Sequence, residues 1–335
     1  MSAIKFGVGF PTGMEGMMYP VPFCDPENLY QIAREAEDGG FDSIGGNDHI
    51  VTQEYVKKSW KSPPRYYEIF ETFSYLAAKT ETLRFNTAVT VLPFRDPIWV
   101  AKQAATLDQL SDGRLILGVG VGAYREEFEA VFPQKNARRG DIMDEYTEIL
   151  SMLLKGETSY RGKYINIEGV DLCPKPLQEP FPIYVGGNHM NALERAVKWG
   201  EGWLPAGLTP EEIGKSREKL EILCERHGGS PGDIDIAPQL VCCMGKNQNE
   251  AIRAFKKSQV FEHLRSLSNS TLKDQSMEKI IQANLIGNSD RIIKALEEYQ
   301  KVGVGHFPAI IFAANSVEKL IDQMKIFSKE VIQSF

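Results

Sequence analysis

Residues able to move a proton follow one of the predicted strands near the start of the chain. A strand over residues 41–47 ends at Asp48-His49. An imidazole ring gains and loses a proton close to pH 7, and a neighbouring carboxylate can tune that exchange. We therefore predict that His49 is catalytic with the help of Asp48. The alternative is a structural histidine whose ring satisfies a loop carbonyl.

A glycine-rich segment follows another predicted strand, over residues 114–119. Its sequence is Gly118-Val119-Gly120-Val121-Gly122, and Glu126 and Glu127 open the helix that comes next. A Rossmann site would need an acidic residue at the end of a following strand, but the pattern stays helical as far as residue 154. Either the glycines let the strand cross a crowded interior, or Gly120 and Gly122 clear space for a flat ring. Acidic residues favour a helix N-terminus, and one of the two glutamates could also reach the space beside these glycines, which we call the glycine mouth.

A second glycine segment could bind an anion. Gly186-Gly187-Asn188 follows a short strand over residues 183–185 and precedes a helical pattern. Backbone N–H groups at a helix N-terminus favour anions, and small residues let a phosphate approach closely. An ordinary turn between a strand and a helix would look the same, so this motif alone leaves both interpretations open.

Alternating strand and helix patterns position these residues. Eight strands are predicted, over residues 4–11, 41–47, 84–92, 114–119, 183–185, 202–205, 234–244 and 306–312, each followed by a helical pattern. Such alternation predicts an α/β protein with a parallel sheet, and eight units indicate a (β/α)8 TIM barrel with its active site at the strand C-termini. Insertion segments are expected at about residues 51–66, 156–180 and 264–286, within a single domain over residues 1–335. A doubly wound sheet is the alternative, but its glycine motif usually lies in the first turn.

The composition excludes several classes of partner. A net charge of −7 leaves no basic surplus for nucleic acid, and no apolar run approaches the roughly 20 residues that cross a bilayer. The N-terminal sequence lacks a secretory pattern, and the five cysteines lack metal-ligand spacing. The histidines form no close pairs, so no metal site is predicted, and a metal-dependent hydrolase barrel stays an unsupported alternative. We expect a cytoplasmic protein that acts on a small molecule.

Long motifs resemble one family. Three segments resemble blocks of the bacterial-luciferase-like family of flavin- and deazaflavin-dependent oxidoreductases: GFDSIGGNDHI, RDPIWVAKQAATLDQLSDGRLILGVGVGAYREEFE and PKPLQEPFPIYVGGNHMNALERAVKWGEGWLP. The resemblance implies a barrel, often dimeric, that binds FMN or coenzyme F420 at the strand ends. It implies a cis peptide at Ala88–Val89, against which the ring packs. It also implies that Gly186-Gly187-Asn188 receives the cofactor phosphate.

The same resemblance bears on the candidate catalytic residues. An Asp-His pair is common in F420-using members, so His49 would face the cofactor and the substrate, and Trp60 would help to close the pocket. In F420-dependent sugar-phosphate dehydrogenases of this family, an acidic glutamate directly follows the last glycine of the mouth. Ala123 stands at that position, so sugar-phosphate activity is not expected.

We therefore expect the protein to be an oxidoreductase. The resemblance also implies a homodimer. Asp48-His49 favours F420-dependent hydride transfer to or from a small organic substrate. A monooxygenase that uses reduced FMN and O2 is the alternative, and a non-catalytic flavin-binding protein is a further one. The substrate is not readable, because specificity in such barrels lies in the insertion segments.

Overall fold

Parallel strands form the centre of the molecule. The computed structural model describes residues 4–132, 137–267 and 276–335. The strands in these ranges are β1 (Lys5–Phe10), β2 (Ser43–Gly46), β3 (Arg84–Thr87), β4 (Thr90–Val91), β5 (Leu115–Gly120), β6 (Tyr160–Arg161), β7 (Asn166–Ile167), β8 (Ile183–Gly186), β9 (Gly202–Leu204), β10 (Asp235–Ile236), β11 (Leu240–Met244), β12 (Leu285–Gly287) and β13 (His306–Phe312). The main sheet has the order β10-β9-β8-β5-β3-β2-β1-β13-β11-β12, with β4 also beside β5, while β6 and β7 form an antiparallel pair.

The barrel closes through a strand that a proline divides. β10 pairs with β9, β11 pairs with β13, and only residues 237–239 separate β10 from β11. Pro238 has no N–H group to donate to a neighbouring strand, which explains why the predicted strand over residues 234–244 is split. When β10 is joined to β11 and β3 to β4, the described residues contain the eight predicted barrel strands, with β12 added outside β11. The predicted (β/α)8 TIM barrel is confirmed.

Helices follow the strands and surround the barrel. They are α1 (Pro26–Asp38), α2 (Glu54–Ser59), α3 (Ile69–Ala77), α4 (Pro97–Leu110), α5 (Arg125–Val131), α6 (Arg139–Leu154), α7 (Met190–Trp199), α8 (Pro210–His227), α9 (Gln248–Lys256), α10 (Gln259–Leu267), α11 (Met277–Gln282), α12 (Ser289–Lys301) and α13 (Val317–Glu330). Asp25, Asp96 and Thr209 each accept an N–H bond from the first turn of a helix that begins with proline. Within the described ranges, no helix is long and apolar enough to cross a membrane.

The three predicted insertions contain secondary structure. Segment 51–66 includes α2, segment 156–180 includes the β6–β7 pair, and segment 264–286 includes the end of α10, all of α11 and most of β12. Residues 268–275 of the last segment lie outside the described residues. The helical pattern that follows the predicted strand over residues 234–244 is two helices, α9 and α10. Helices as short as α2 and α11 show too few turns for a clear apolar period, so the sequence pattern missed them.

Side chains of β1 alternate between the helix layer and the barrel interior. Phe6 points to the helices, and its ring centre lies 5.5 Å from that of Phe327 on α13. Gly7 points to the interior, where an added Cβ would lie 2.3 Å from the carbonyl oxygen of Pro308. Beside β1, the interior is therefore packed by backbone and small residues.

A polar cluster stabilises the N-terminal end of the barrel. Asp235 accepts a hydrogen bond from the Tyr184 hydroxyl at 2.7 Å, and its carboxylate lies 3.1 Å from Nδ1 of His306. Burial would raise the pKa of Asp235, but the hydrogen bonds and charge of these partners outweigh it and lower that pKa. The end opposite the predicted active site is thus tied together by charge and hydrogen bonding.

Candidate cofactor and active site

A cavity of about 350 Å³ lies at the C-terminal ends of the barrel strands. All seven predicted cofactor-binding residues line it: Ala88, Val89, Gly120, Gly122, Gly186, Gly187 and Asn188. These residues lie at the last positions of β5 and β8 and in the segments that follow β3, β5 and β8. The remaining wall is largely apolar, with contributions from β9, β11, α10 and α11. The structure therefore brings three separate sequence motifs to one place.

The Val89 side chain fills the space that two of these glycines leave. The Ala88–Val89 peptide is cis, as the family resemblance implies. An added Cβ would lie 2.6 Å from Val89 at Gly120 and 2.7 Å from Val89 at Gly186. Both glycines admit Val89, which forms part of the cavity wall together with Ala88. Gly120 therefore does not simply clear room for a ring, which corrects the interpretation of that residue from sequence.

The turn between β8 and α7 is held by hydrogen bonds to β9 and the segment after it. Gly187 has φ of +127°, a conformation that favours glycine, and its carbonyl oxygen accepts from the indole N–H of Trp203 at 2.7 Å. The Asn188 amide donates to the carbonyl of Ala206 and accepts from its N–H, at 2.8 and 3.0 Å. The N-cap of α7 is His189, whose side chain makes no capping hydrogen bond. The first turn of α7 is thus suited to an anion.

Asp48 belongs to an ion pair away from the ring of His49. Its carboxylate accepts from Arg95 at 2.9 and 2.8 Å and from the N–H of Val91 at 3.0 Å. Arg95 also pairs with Glu68 at 2.7 Å. Asp48 therefore anchors the segment after β4. The expectation that this adjacent carboxylate tunes His49 is corrected, because a different carboxylate bonds to the ring.

His49 pairs with Glu127 at the start of α5. Nδ1 of His49 lies 2.9 Å from the carboxylate of Glu127, which is buried and also accepts from the N–H groups of Ile50 and Val51 at 3.3 Å. Burial would raise the pKa of Glu127, but the hydrogen bond and charge of His49 outweigh it and lower that pKa. An ionised Glu127 accepts the Nδ1 proton, which leaves Nε2 as the ring nitrogen able to exchange a proton with a substrate.

A chain of tyrosine hydroxyls connects the surroundings of His49 to the cavity. The His49 ring centre lies 5.8 Å from that of Tyr124. The Tyr124 hydroxyl is 3.1 Å from that of Tyr55, which is 3.3 Å from Nδ1 of His263. His263 lines the cavity, whereas neither His49 nor Asp48 is among its lining residues. His49 is thus one layer away from the cavity that the sequence predicted it to face.

Other expectations from sequence have mixed outcomes. Trp60 donates its indole N–H to the carbonyl of Gly16 at 3.1 Å and is not a lining residue, so the structure does not place it as a cover. Ala123 lines the cavity, and no acidic side chain occupies that position. The sequence indicated Glu127 as an acidic residue beside the glycine mouth. It did not indicate His263, because that residue precedes a segment without pattern.

No group of three or more His, Cys, Asp and Glu side chains in the described parts of the chain could hold a metal ion. The polar residues near the strand ends are instead used in pairs, as in His49–Glu127 and Asp48–Arg95. The geometry therefore gives the hydrolase alternative no support.

The sequence and the fold match those of one known family. Residues 4–306 match the family described as luciferase-like monooxygenase. An uncharacterized protein of Mycobacterium tuberculosis is 36% identical over 218 residues, which cover 61% of this chain and 74% of that protein. The oxygenase component of a flavin-dependent trigonelline monooxygenase from Acinetobacter baylyi is 25% identical over 336 residues, covering 92% of this chain and 89% of that protein.

A solved structure supports the same fold. An F420-dependent secondary alcohol dehydrogenase, in complex with an F420–acetone adduct, superposes with a TM-score of 0.79 over 98% of each chain at 19% identity. At that identity the likeness shows the fold alone. The match over residues 4–306 establishes that the chain belongs to the luciferase-like monooxygenase family of flavin-dependent oxidoreductases.

Proposed function

We propose that this protein is an oxidoreductase that binds the flat ring of a flavin or deazaflavin cofactor in the cavity at the strand ends. The observation that carries the proposal is that Val89, Gly187 and the start of α7 border one cavity. An apolar wall suits the face of a ring, and the first turn of α7, next to Gly187, offers backbone N–H groups to a phosphate. The residues present therefore fit a ring cofactor that carries a phosphate.

Of the two cofactors we favour coenzyme F420, with hydride transfer to or from a small organic substrate. When bound, F420 supplies or accepts the hydride. Reduction of a carbonyl group also needs a proton at its oxygen, and the reverse reaction releases one. His49 is built for that exchange, because Glu127 holds Nδ1 and leaves Nε2 available. Tyr124, whose ring centre lies 5.8 Å from that of His49, bonds through Tyr55 to His263 in the cavity wall.

The second candidate is a monooxygenase that uses reduced FMN and O2. The relative from Acinetobacter baylyi, which matches 92% of this chain, is the oxygenase component of a flavin-dependent monooxygenase. A largely apolar cavity that excludes water would suit this chemistry as well. A non-catalytic flavin-binding protein is the third candidate, and it predicts cofactor binding without turnover.

Titration separates these candidates. Purified protein freed of cofactor is titrated with F420 and with FMN, each oxidised and reduced, and binding is followed by cofactor fluorescence and absorbance. We expect saturable binding of F420 at one site per chain and weaker binding of FMN. Tighter binding of reduced FMN would support the monooxygenase, whereas no binding of either cofactor would contradict the proposal.

A glycine substitution tests where the cofactor binds. Gly187→Val places a branched side chain at φ of +127°, with its Cβ 3.3 Å from that of Ala192. We expect the cofactor Kd to rise about tenfold or more, because strain of this kind costs roughly 1–3 kcal/mol. Gly169→Val is the matched control, since Gly169 also has positive φ and an added Cβ there has no atom within 4 Å. A folded Gly187→Val variant with unchanged affinity would refute the phosphate assignment.

A further inference from the structure

The cavity wall has no Asp, Glu, Lys or Arg side chain among its described lining residues. Its polar members are amides and histidines: Asn188, His189, Gln239, His263 and Asn284. The rest are aliphatic side chains, alanines and glycines. An anion or a cation that entered the inner part of this cavity would therefore meet no opposite charge.

The amides among these residues already serve the protein. Both ends of the Asn188 amide bond to the backbone of Ala206. Asn284 accepts from the N–H of Val241 at 2.7 Å and donates to the carbonyl of Ile280 at 2.8 Å.

The side chains of Gln239 and His189 are also poorly placed to meet a ligand inside the cavity. Gln239 donates its amide to the carbonyl of Ala88 at 2.9 Å. His189 is exposed at the start of α7. His263 is consequently the buried polar side chain best placed to meet a ligand.

His263 on α10 has one ring nitrogen to offer. Nδ1 is 3.3 Å from the Tyr55 hydroxyl, and Nε2 has no hydrogen-bond partner within the described ranges. Burial, reinforced by the charge of His49, lowers the pKa of His263 to about 4, so the ring is neutral at pH 7. Burial raises the pKa of Tyr55 to about 12, so its hydroxyl keeps a proton.

The Tyr55 hydroxyl decides whether Nε2 of His263 donates or accepts a hydrogen bond. When Tyr55 donates to Nδ1, Nε2 carries the ring proton and donates to a ligand. When Tyr55 instead accepts from Nδ1 and donates to Tyr124, Nε2 accepts. The pair can therefore bind either a carbonyl oxygen or a hydroxyl group without any net charge.

The same two side chains border a second space. Tyr55 and His263 line an outer pocket of about 590 Å³ between α2 and α10, whose other members include Ser59, Gln259 and Glu262. The pair thus stands between a polar outer pocket and the apolar cavity.

We propose that Tyr55 and His263 form a specificity site that binds one neutral oxygen, of a carbonyl or hydroxyl group, on an otherwise apolar and uncharged substrate. This inference rests on the proposed function and deepens it by naming the substrate class. A hydrocarbon without oxygen would leave the His263 nitrogen unpaired, and a carboxylate would be buried without a counter-charge.

Three probes of equal chain length test the site. Binding of 2-hexanone, hexane and hexanoate is measured by ligand-observed NMR, on cofactor-free protein and on cofactor-loaded protein. We expect 2-hexanone to bind about fivefold more tightly than hexane, as one added hydrogen bond would give, and about tenfold more tightly than hexanoate. Equal binding of 2-hexanone and hexanoate to the cofactor-loaded protein, or to cofactor-free protein in phosphate buffer that occupies the anion site at α7, would overturn the proposal.

Variants test whether the preference for the ketone depends on His263 and Tyr55. His263→Leu should make 2-hexanone and hexane bind alike, and Tyr55→Phe should weaken the preference for the ketone. Glu262→Gln is the control, because Glu262 precedes His263 on α10 and is paired with Arg265 on the outer side. Retention of the ketone preference in a folded His263→Leu variant, or in Tyr55→Phe if the first variant does not fold, would contradict the assignment.

The two proposals fail in different ways. If neither cofactor binds but the ketone preference exists and depends on His263, the oxidoreductase proposal fails and the specificity site stands. If a cofactor binds but no ketone preference is found, the specificity site alone is refuted.

Discussion

At the scale of single residues, the partner of His49 decides what its ring can do. Sequence proximity indicated Asp48, whereas the structure gives Glu127, 78 positions away. The sequence identified His49 because it follows a predictable strand, and it offered Glu127 as an acid near the glycine mouth. It could not choose between the two carboxylates, because the choice depends on where adjacent side chains point after a turn. Asp48 points to Arg95, which fixes its role.

Replacing His49 should impair turnover far more than cofactor binding. General acid–base catalysis contributes about 10²–10⁴-fold, so His49→Ala should lower kcat about 100-fold or more while the cofactor Kd stays within about threefold. Glu127→Gln should lower kcat about tenfold, since the ring loses its orienting partner. Steady-state kinetics and cofactor titration check both effects.

The control for this prediction is the neighbouring glutamate. Glu126 is exposed and accepts from the N–H of Glu54 at 3.2 Å, so Glu126→Gln should leave kcat within about twofold. Unchanged turnover in His49→Ala would remove His49 from the mechanism.

Glu127 should also make stability depend on pH on the acidic side. Its pKa in the folded protein lies below the unfolded value of about 4.3. A lowered folded pKa contributes stability that is present above the unfolded value and is lost as the pH falls through the folded one. Glu127→Gln should therefore be less stable than the wild type at pH 7, by an amount that shrinks below about pH 4. Urea unfolding at several pH values measures this, and a pH-independent difference would count against an ionised Glu127.

At the scale of elements, the cavity depends on how three strand ends meet. The strands themselves were predictable, because each is an apolar run bounded by turn residues. The insertion of Val89 between Gly120 and Gly186 was not, because it depends on the path of the chain from β3 to β4. The contact between His263 on α10 and Tyr55 was not predictable either. Tyr55 lies in one predicted insertion and His263 directly precedes another, and the sequence did not indicate that these segments meet.

Filling the space at Gly120 should displace Val89. An added Cβ would lie 2.6 Å from the Val89 side chain, closer than such atoms normally approach. Overpacking of this kind costs roughly 1–3 kcal/mol, so Gly120→Ala should weaken cofactor binding about tenfold. The double variant Gly120→Ala/Val89→Ala removes the clashing methyl groups and should recover most of that affinity, as measured by cofactor titration.

Val89→Ala alone is the reference for this comparison. It should bind the cofactor more tightly than Gly120→Ala does. If the double variant binds no better than Gly120→Ala, the contact with Val89 is not what the glycine serves.

At the scale of the whole molecule, the barrel separates stabilisation from chemistry. The cluster around Asp235 ties the N-terminal strand ends together, while the cavity lies at the other end. The rule that active sites lie at strand C-termini was enough to predict five of the seven candidate cofactor residues that line the cavity, whereas Ala88 and Val89 came from the family resemblance. Substrate preference was not predictable, because it rests on side chains from α2 and α10 that the fold alone brings together.

We also expect a homodimer. Trp99 and Leu110 on α4 have 69% and 64% of their surface exposed, and a spacing of eleven residues places them on the same helix face. Large apolar side chains exposed together favour a protein interface. Light scattering should give about 75 kDa, twice the chain mass of 37.6 kDa, and Trp99→Glu should shift the protein toward the monomer. A monomeric wild type at micromolar concentration would contradict this expectation.

We propose that the cavity beside Ala88 and Val89 holds the ring of a flavin or deazaflavin. Crystals soaked separately with F420 and with FMN test it most directly. The predicted result is a ring packed against Ala88 and Val89, with the phosphate at the Gly187 turn and the start of α7. A ring bound elsewhere, or an empty cavity at saturating concentrations of both cofactors, would contradict it.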